Sequence, residues 1–465
     1  MYSWISSARK NMNSRFPPGT LRGRLASGAF WSLAATAGYQ GVTLLASLFT
    51  ARLLGKDIFG ELGMIQSTVG MFGIFAGMGL GMTATKFVAE FRGSNPARAG
   101  RVIGMTLLLG LLLSGTIALA LMCVSRQIAG SLINAPHLAL ELRIGCLLLF
   151  FNTLFQICQA GLAGFEGFRA IAKVNFATGA ATFPLVVGGV YFWQLAGGVT
   201  GMALASALGS LLTYYALRRH CLYAGVRVDF HGIRNELPVL WAFSLPSFLT
   251  GIIVSPVMWA ASAILANQPN GYSELGLYNA ARQWWLLILF VPNVISRALL
   301  PILSERLGTN DRTGARKVLL ATMALSGAIG ISAAIALTLF SRQAMALFGD
   351  SFQEGTLVLV LMSWTAALLT LQAPVVQVLV ASGRLWVCFF MNVVWAGALL
   401  GTFFVFRQFG AAGLAGSFLI AYSLQTLQLG VFVYILFARE RVTKCEGNLT
   451  GQKSSETTSK IGDMR

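Results

Sequence analysis

Twelve apolar stretches, each about as long as a lipid bilayer is thick, constrain this chain more than any other feature. About 20 residues, at a rise of ~1.5 Å each, cross the ~30 Å hydrocarbon core as a helix. A search with a window of about 19 residues places these stretches near residues 27–50, 62–84, 102–124, 142–163, 174–193, 200–217, 238–262, 277–300, 318–340, 356–380, 384–406 and 411–437. The pattern predicts an all-α integral membrane protein with twelve transmembrane helices.

The composition excludes a soluble globular domain. Charged residues make up 11% of the chain, hydrophobic residues 56%, and the mean hydropathy is +0.70, whereas charged residues form about a quarter of a soluble domain. The first 28 residues are basic and contain Pro17 and Pro18, unlike a cleaved signal peptide. The six cysteines show no CxxC spacing and four lie in apolar spans, so we interpret them as small core residues.

The positive charges predict the orientation in the membrane. With the N-terminus in the cytoplasm, the inside loops and tails hold 26 of the 34 Lys and Arg residues, and the outside loops hold five. Loops rich in Lys and Arg stay in the cytoplasm, so both termini are predicted to be cytoplasmic. The net charge of +18 is explained by this asymmetry and by contact with anionic membrane lipids, without a nucleic-acid partner.

Three motifs recur in the two halves of the chain at offsets of 213 to 216 residues. "GELG" returns as "SELG", "EFRGSNPARAGR" as "ERLGTNDRTGAR" and "SRQIAGSL" as "SRQAMALF"; the first copies begin at residues 60, 90 and 125. Six spans per half is an even number, so both halves enter the membrane from the same side and form two parallel six-helix lobes. The predicted organisation is a cytoplasmic N-terminal tail, a first lobe, a cytoplasmic linker, a second lobe and a disordered cytoplasmic tail, at residues 1–26, 27–217, 218–237, 238–437 and 438–465.

Residues 51–91, "ARLLGKDIFGELGMIQSTVGMFGIFAGMGLGMTATKFVAEF", resemble the opening of the polysaccharide and O-antigen flippase family. The similarity lies in a basic "ARLLG" turn, an "FG" pair, a glycine-rich second helix and the acidic-basic loop that follows. Helix count, repeat and loop pattern extend it over essentially the whole chain. This family belongs to the multidrug/oligosaccharidyl-lipid/polysaccharide exporter superfamily, so the resemblance implies two lobes around a central cavity.

The resemblance also implies a function. Such a flippase moves a polyprenyl-diphosphate-linked oligosaccharide across the bacterial inner membrane by alternating access, for the synthesis of lipopolysaccharide O-antigen or exopolysaccharide. The implied partners are this lipid-linked oligosaccharide, membrane lipids and the polysaccharide polymerase and export machinery. The sequence does not identify the sugar repeat, a coupling ion or the oligomeric state.

The eighth span, "GLYNAARQWWLLILFVPNVISRALLP" (276–301), carries two arginines, Arg282 and Arg297. A guanidinium at the centre of a membrane helix costs at least ~2.5 kcal/mol, so each side chain either reaches the nearest interface or faces water. At about 100° per residue, Asn279, Asn293, Ser296 and Arg297 share the face of Arg282. Because reaching an interface does not explain the uncharged members of this face, we expect Arg282 to face a hydrated cavity; for Arg297 both alternatives stay open.

Two other polar or small-residue stripes are candidates for the same cavity. Asn152, Gln156 and Gln159 in the fourth span are spaced i, i+4 and i+7 and lie on one side of a helix, where amides either bind substrate or fasten helices together. Glycines recur on one face of the second span together with Gln66, which favours a close-packing seam; they are Gly63, Gly70, Gly73, Gly77 and Gly81.

The absence of acidic residues from the middle of every predicted span indicates the charge of the substrate. A cation or proton site at that depth is expected to use a carboxylate, as the drug antiporter branch of the superfamily does in its N-terminal lobe, and this sequence departs from that pattern. A guanidinium matches the oxygens of a phosphate, so Arg282 favours an anionic substrate. A multidrug or organic-cation exporter of the same fold is the alternative.

The sequence does not predict an enzyme, a metal site or a cofactor. The longest connections outside the membrane are only about twenty residues, no GxxxxGK[ST] loop is present, and the three histidines lack nucleophile or ligand spacing. A scaffold role in a biosynthetic complex has no sequence feature that would identify it.

Overall fold

The computed structural model describes residues 21–230, 232–238, 244, 248, 252–309, 311–382 and 385–435. Side chains are described from residue 37 onward, with gaps that include Arg297. The two predicted tails therefore fall almost wholly outside the described residues, as does much of the first half of the seventh span.

The described chain runs back and forth as long helices. Lobe one contains α1 (21–54), α2 (56–77), α3 (Leu80–Phe91), α4 (Pro96–Gln127), α5 (Ala139–Gly164), α6 (168–192) and α7 (195–223). Lobe two contains α8 (Val254–Ala266), α9 (Gly271–Gly308), α10 (Arg312–Leu339), α11 (Ser341–Ala346), α12 (Thr356–Ala381), α13 (Leu385–Phe406) and α14 (410–435).

Among the described residues, seven helical segments are long and apolar enough to cross a membrane, and three of them contain two crossings each. Ala37–Gly77 reverses at Gly55, Phe168–Tyr223 at Trp193 and Gln194, and Trp386–Ile435 at Gly410. Gly55 and Gly410 have φ angles of 73° and 57°, which glycine adopts without steric strain. These seven segments account for ten of the twelve predicted crossings. The 38-residue α9 is long enough for another, and α8 is the described part of the seventh span. The all-α, two-lobe architecture is confirmed.

Two helix boundaries differ from the sequence expectation. The second span, predicted as one helix, is interrupted at Met78 and Gly79, whose φ angles are 35° and 71°, so α2 and α3 meet at a kink. α7 continues to Tyr223, beyond the end of the apolar stretch at residue 217, because backbone hydrogen bonding can continue a helix into polar sequence.

Helix capping explains one of the internal repeats. Asn95, in the first copy, accepts a hydrogen bond from the backbone N–H of Arg98 at 3.0 Å and begins α4. Asp311, in the second copy, accepts one from the backbone N–H of Gly314 at 2.9 Å and begins α10. Asn and Asp are favoured at this position because they satisfy the first N–H groups of a helix. The repeated motif therefore starts the third membrane helix of each lobe.

The two lobes meet tightly at one end, which we call the sealed end, where equivalent helices α2 and α9 approach each other. A Cβ on Gly60 would lie 1.8 Å from the carbonyl oxygen of Tyr272, and a Cβ on Gly276 would lie 2.0 Å from that of Lys56. Only glycine fits these positions without moving a helix. The "GELG" and "SELG" motifs thus form a close backbone contact between the lobes.

Side chains from both lobes close the sealed end further. The ring of Phe59 packs against Phe348 and Phe352, with centroids 6.4 and 5.9 Å apart. Lys56 forms an ion pair with Glu354, and the side chain of Arg52 donates to the backbone oxygen of Leu347 at 2.8 Å. The largest hydrophobic cluster of the described residues includes members of both lobes.

At the opposite end each lobe has its own hydrophobic cluster, one around Ile103 and one around Leu319. The described part of the interlobe linker is bound to lobe one. Glu236, with 3% of its side chain exposed, accepts from Arg98 at 3.1 Å and from Arg101 at 3.3 Å. The backbone N–H of Asp229 is 3.4 Å from the carbonyl oxygen of Gly100. The lobes are therefore joined over several helices at the sealed end. At the other end each lobe keeps its own hydrophobic cluster, and the seventh span contacts lobe one where the hydroxyl of Ser244 lies 2.5 Å from that of Thr83.

Candidate substrate-binding cavity

A cavity of about 360 Å³ lies between the lobes, next to the sealed end. Five helices of lobe one (α1, α2, α5, α6 and α7) form its wall, and α9 of lobe two closes it. We call it the polar cavity. Its polar lining residues are Tyr39, Thr43, Ser47, Thr50, Gln66, Asn152, Thr178, Thr182, Ser206, Asn279, Arg282 and Gln283.

Arg282 is the only charged residue in the described lining of the polar cavity. Its side chain is half-buried, and its Nε has no hydrogen-bond partner among the described residues. Aromatic packing in lobe two fixes the helix that carries it: Tyr278, one turn earlier on α9, stacks on Phe418 with centroids 5.9 Å apart, and Phe418 stacks on Tyr422. Arg282 thus lies at the wall of an interior space, and its role in binding substrate stays a prediction.

Asn279 supplies a second unpaired donor to the same cavity. The residue is only 9% exposed, and its Nδ2 has no hydrogen-bond partner among the described residues. It fits against lobe one because a Cβ on Gly63 would lie 1.7 Å from this nitrogen. A buried donor without a partner costs about 1–3 kcal/mol, so Asn279 and Arg282 together favour occupation of the cavity by an acceptor.

The electrostatics of the cavity favour an anion. No Asp or Glu belongs to its described lining, and an interaction with a charged group is stronger in a low-dielectric interior than in water. A guanidinium offers five donors in a planar fork that matches the oxygens of a phosphate or carboxylate. Among the described residues no group of three or more His, Cys, Asp or Glu side chains could hold a metal ion.

A second cavity of about 400 Å³ adjoins the first, and we call it the glycine cavity. The two share Val69, Gly70 and Asn152 in their linings. The remaining lining residues of the glycine cavity are uncharged and come from α2, α3, α5 and the seventh span; they are Gly73, Ile74, Gly77, Gly79, Gly81, Met82, Leu149, Thr153, Gln156, Ile157 and Phe248. The two cavities together extend along one side of α2.

The structure places some of the predicted site residues together and separates others. Asn279, Arg282 and Asn152 line the polar cavity, and Gln156 lines the glycine cavity. Gln159 instead donates to the side chain of Asn175, which fits the helix-fastening alternative. Asn293 is exposed and lies outside both linings. The side chain of Arg297 lies outside the described part of the structure.

Several lining residues were missed by the sequence analysis. Gln283 follows Arg282 directly and lines the same cavity, although helical phase places it away from the predicted polar face. Tyr39, Thr43 and Ser47 on α1 also line it, and their i, i+4, i+8 spacing is a signal that could have identified a polar face on the first span.

The glycine face of α2 was interpreted wrongly over part of its length. A Cβ on Gly70, Gly73 or Gly77 would meet no described atom within 4 Å. Within the described part of the chain, these three glycines therefore form no packing seam, while Gly63 does make a close interlobe contact.

Comparison with known proteins agrees with this architecture. The chain is 25% identical over 388 residues to the EPS I polysaccharide export inner membrane protein EpsE of Ralstonia nicotianae, covering 82% of this chain and 86% of the relative. It is 28% identical over 280 residues to a proposed O-antigen transporter of Shigella flexneri, covering 58% and 64% of the two chains.

Among solved structures, the fold is similar to an inward-facing multidrug resistance MATE family transporter of the MOP superfamily. The TM-score is 0.71 at 16% identity, over 90% of this chain and 99% of that one. A MATE transporter of Vibrio cholerae, VcmN in its bent form, gives a TM-score of 0.63 over 88% and 95%. At this identity the likeness shows the fold alone. The model of the family described as polysaccharide biosynthesis protein matches residues 25–306, more than half of the chain, so this chain belongs to the polysaccharide biosynthesis protein family.

Proposed function

We propose that this protein is a flippase of the bacterial inner membrane. It moves a polyprenyl-diphosphate-linked oligosaccharide from the cytoplasmic to the outer leaflet for surface polysaccharide synthesis. The family supports this proposal, and so do the names of relatives that export polysaccharide or transport O-antigen. The observation that carries it is Arg282, the single charged side chain in the described lining of a cavity between two lobes.

Arg282 and Asn279 bind the diphosphate in this proposal. The two unpaired donors, Arg282 Nε and Asn279 Nδ2, hydrogen-bond to phosphate oxygens that lose part of their hydration on entering the cavity. A charge-assisted hydrogen bond contributes about 1.5–3 kcal/mol, which offsets part of that loss. The polyprenyl tail stays among the membrane lipids, so it does not have to enter the cavity.

The lobes alternate between two states around this site. The charge asymmetry of the loops supports cytoplasmic termini, so the sealed end faces outward and the described conformation is closed to the outside. Rocking of the lobes separates the α2–α9 contact at Gly60 and Gly276 and exposes the same cavity to the outer leaflet. Polysaccharide polymerase and export proteins are the partners that use the translocated product.

A multidrug or organic-cation exporter is the alternative that this fold allows. The polar cavity disfavours it, because its described lining contains Arg282 and no carboxylate, so a cation entering it would meet repulsion without a counter-ion. The chain has the architecture of a transporter, and we propose no catalytic step for it.

Substitution of Arg282 tests the function in a strain that lacks its own flippase. We expect Arg282→Gln and Arg282→Glu to abolish restoration of surface polysaccharide, and Arg282→Lys to retain part of it because the charge is kept. Arg297→Gln, on the same helix, is the comparison variant and should be milder. Full restoration by Arg282→Gln at normal protein levels would refute the proposed role of this arginine.

A further inference from the structure

The open part of the glycine face of α2 borders both cavities. Gly70, Gly73 and Gly77 leave their helix backbone uncovered by described atoms, and the seven residue-to-residue steps from the first to the last rise by roughly 10 Å. A glycine in the middle of a membrane helix is usually explained by close helix packing, and that explanation fails here because no described atom is near enough. The exposed backbone instead forms part of the wall of two adjoining cavities.

A buried, unpaired polar group stands at the head of this face. Asn279 Nδ2 is directed against Gly63, about two turns of helix before Gly70, and has no partner among the described residues. Farther along, Asn152 lines both cavities and Gln156 lines the glycine cavity. Side-chain amides therefore lie beside the glycine face of α2 along its length, from Asn279 near Arg282 to Gln156 in the glycine cavity.

The chemistry of the glycine cavity differs from that of the polar cavity. Its described lining holds no charged residue, so it does not suit the diphosphate. Amides both donate and accept hydrogen bonds, as hydroxyl groups require, and the Phe248 ring, which packs edge-on against Phe75 at 5.8 Å, adds an apolar surface. Glycine lets a bulky ligand approach the backbone closely. These properties fit a neutral, hydroxylated ring.

We propose that the glycine face of α2 is the binding track for the sugar rings nearest the diphosphate. The inference rests on the proposed function and deepens it. Arg282 and Asn279 hold the diphosphate at one end of the track, and Asn152 and Gln156 hydrogen-bond to sugar hydroxyls along it. The track thus recognises the glycan part of the substrate separately from the lipid diphosphate.

Filling the track with a side chain tests this directly. A Cβ on Gly73 would meet no described atom within 4 Å, so we expect Gly73→Leu to fold and to reach wild-type abundance. Binding to purified protein is measured with two probes: undecaprenyl diphosphate alone, and the lipid-linked oligosaccharide extracted from the flippase-deficient host. We expect the affinity for the oligosaccharide probe to fall at least about tenfold, from overpacking worth ~1–3 kcal/mol, while that for undecaprenyl diphosphate stays within a factor of about two.

Gly397→Leu is the matched control, because this glycine is exposed on α13 and also has no described atom within 4 Å of a Cβ; it should bind both probes normally. Gln156→Ala provides a second test that adds no volume, and it should weaken only the oligosaccharide probe. Equal loss of both probes in Gly73→Leu, or unchanged binding of both, would overturn the sugar track. Failure of the wild-type protein to bind either probe would count against the proposed function itself.

Discussion

Replacement of Gly276 by alanine should force the sealed end apart. The new Cβ would lie 2.0 Å from the carbonyl oxygen of Lys56 and 2.9 Å from its carbonyl carbon, whereas heavy atoms settle at about 3.5 Å or more. Helix α9 must therefore withdraw from α2 by about 1.5 Å. Overpacking of this kind costs ~1–3 kcal/mol, so the ratio of sealed to unsealed molecules should fall by about 5- to 150-fold.

The assay is the rate at which a membrane-impermeant maleimide, added outside cells, labels a cysteine introduced for Gln66 in the polar cavity of a chain without native cysteines. We expect faster labelling in Gly276→Ala and in Gly60→Ala, whose Cβ meets Tyr272 from the other lobe. Gly130→Ala is the control, because this glycine near the sealed end has no described atom within 4 Å of a Cβ. Unchanged labelling in both seam variants would show that the α2–α9 contact is not what closes the cavity.

Three further predictions follow from the charges of the chain. Reporter fusions after residues 95, 230, 310 and 450 should report the cytoplasm, and fusions near 57, 132, 270 and 348 the outside; a consistent inversion would refute the orientation. Replacement of Glu61, Glu141 or Glu274 by Gln should leave a substantial part of the transport activity. For Glu274 the reason is structural, because its carboxylate accepts a hydrogen bond from the backbone N–H of Ala411 and a Gln side-chain oxygen can do the same. Complete loss of transport in any of the three variants, at normal protein abundance, would favour an ion-coupled antiporter. Glu236→Gln should lower the free energy of unfolding by about 1–2 kcal/mol, which is less than for a fully buried ion pair because the side chains of Arg98 and Arg101 are 38% and 27% exposed. The measurement is thermal unfolding of the purified protein, with Glu90→Gln at an exposed position as the control. Equal unfolding temperatures of the two variants would contradict this prediction.

The architecture was predictable because membrane thickness acts on every span alike. Apolar length, loop charge and the internal repeat led to twelve crossings in two lobes without knowledge of any contact. The kink at Met78 and Gly79 was not predicted, since an apolar run looks the same whether or not its backbone turns within it. The physical reason for the "EFRGSNPARAGR" repeat became clear only from the structure, in which Asn95 and Asp311 cap the N-termini of equivalent helices.

The sequence predicted the candidate site only for residues that lie on the same face of one helix. Helical phase placed Arg282 and Asn279 on one face, and both line the polar cavity. The same phase included Asn293, which lies outside the lining, because a face that begins at a cavity need not border it along the whole helix. Spacing also could not distinguish Gln156, which lines a cavity, from Gln159, which donates to Asn175.

The glycine face shows the limit of such reasoning most clearly. Glycines at helical spacing are compatible with a close helix neighbour or with an open wall, and the sequence of α2 contains nothing that separates the two. Gly63 meets Asn279, whereas Gly73 meets no described atom. The difference arises from the position of lobe two relative to lobe one, which is a property of the assembled fold.

Transbilayer movement of lipid-linked oligosaccharide in proteoliposomes tests the central claim most directly. Oligosaccharide extracted from the flippase-deficient host is incorporated, and its appearance in the opposite leaflet is followed with a sugar-modifying enzyme that cannot cross the membrane. We predict movement by the wild-type protein, slower movement by Arg282→Lys and only the background rate of protein-free liposomes by Arg282→Gln. Movement by Arg282→Gln at the wild-type rate, in protein of normal stability, would contradict the claim that this arginine binds the substrate in the cavity between the lobes.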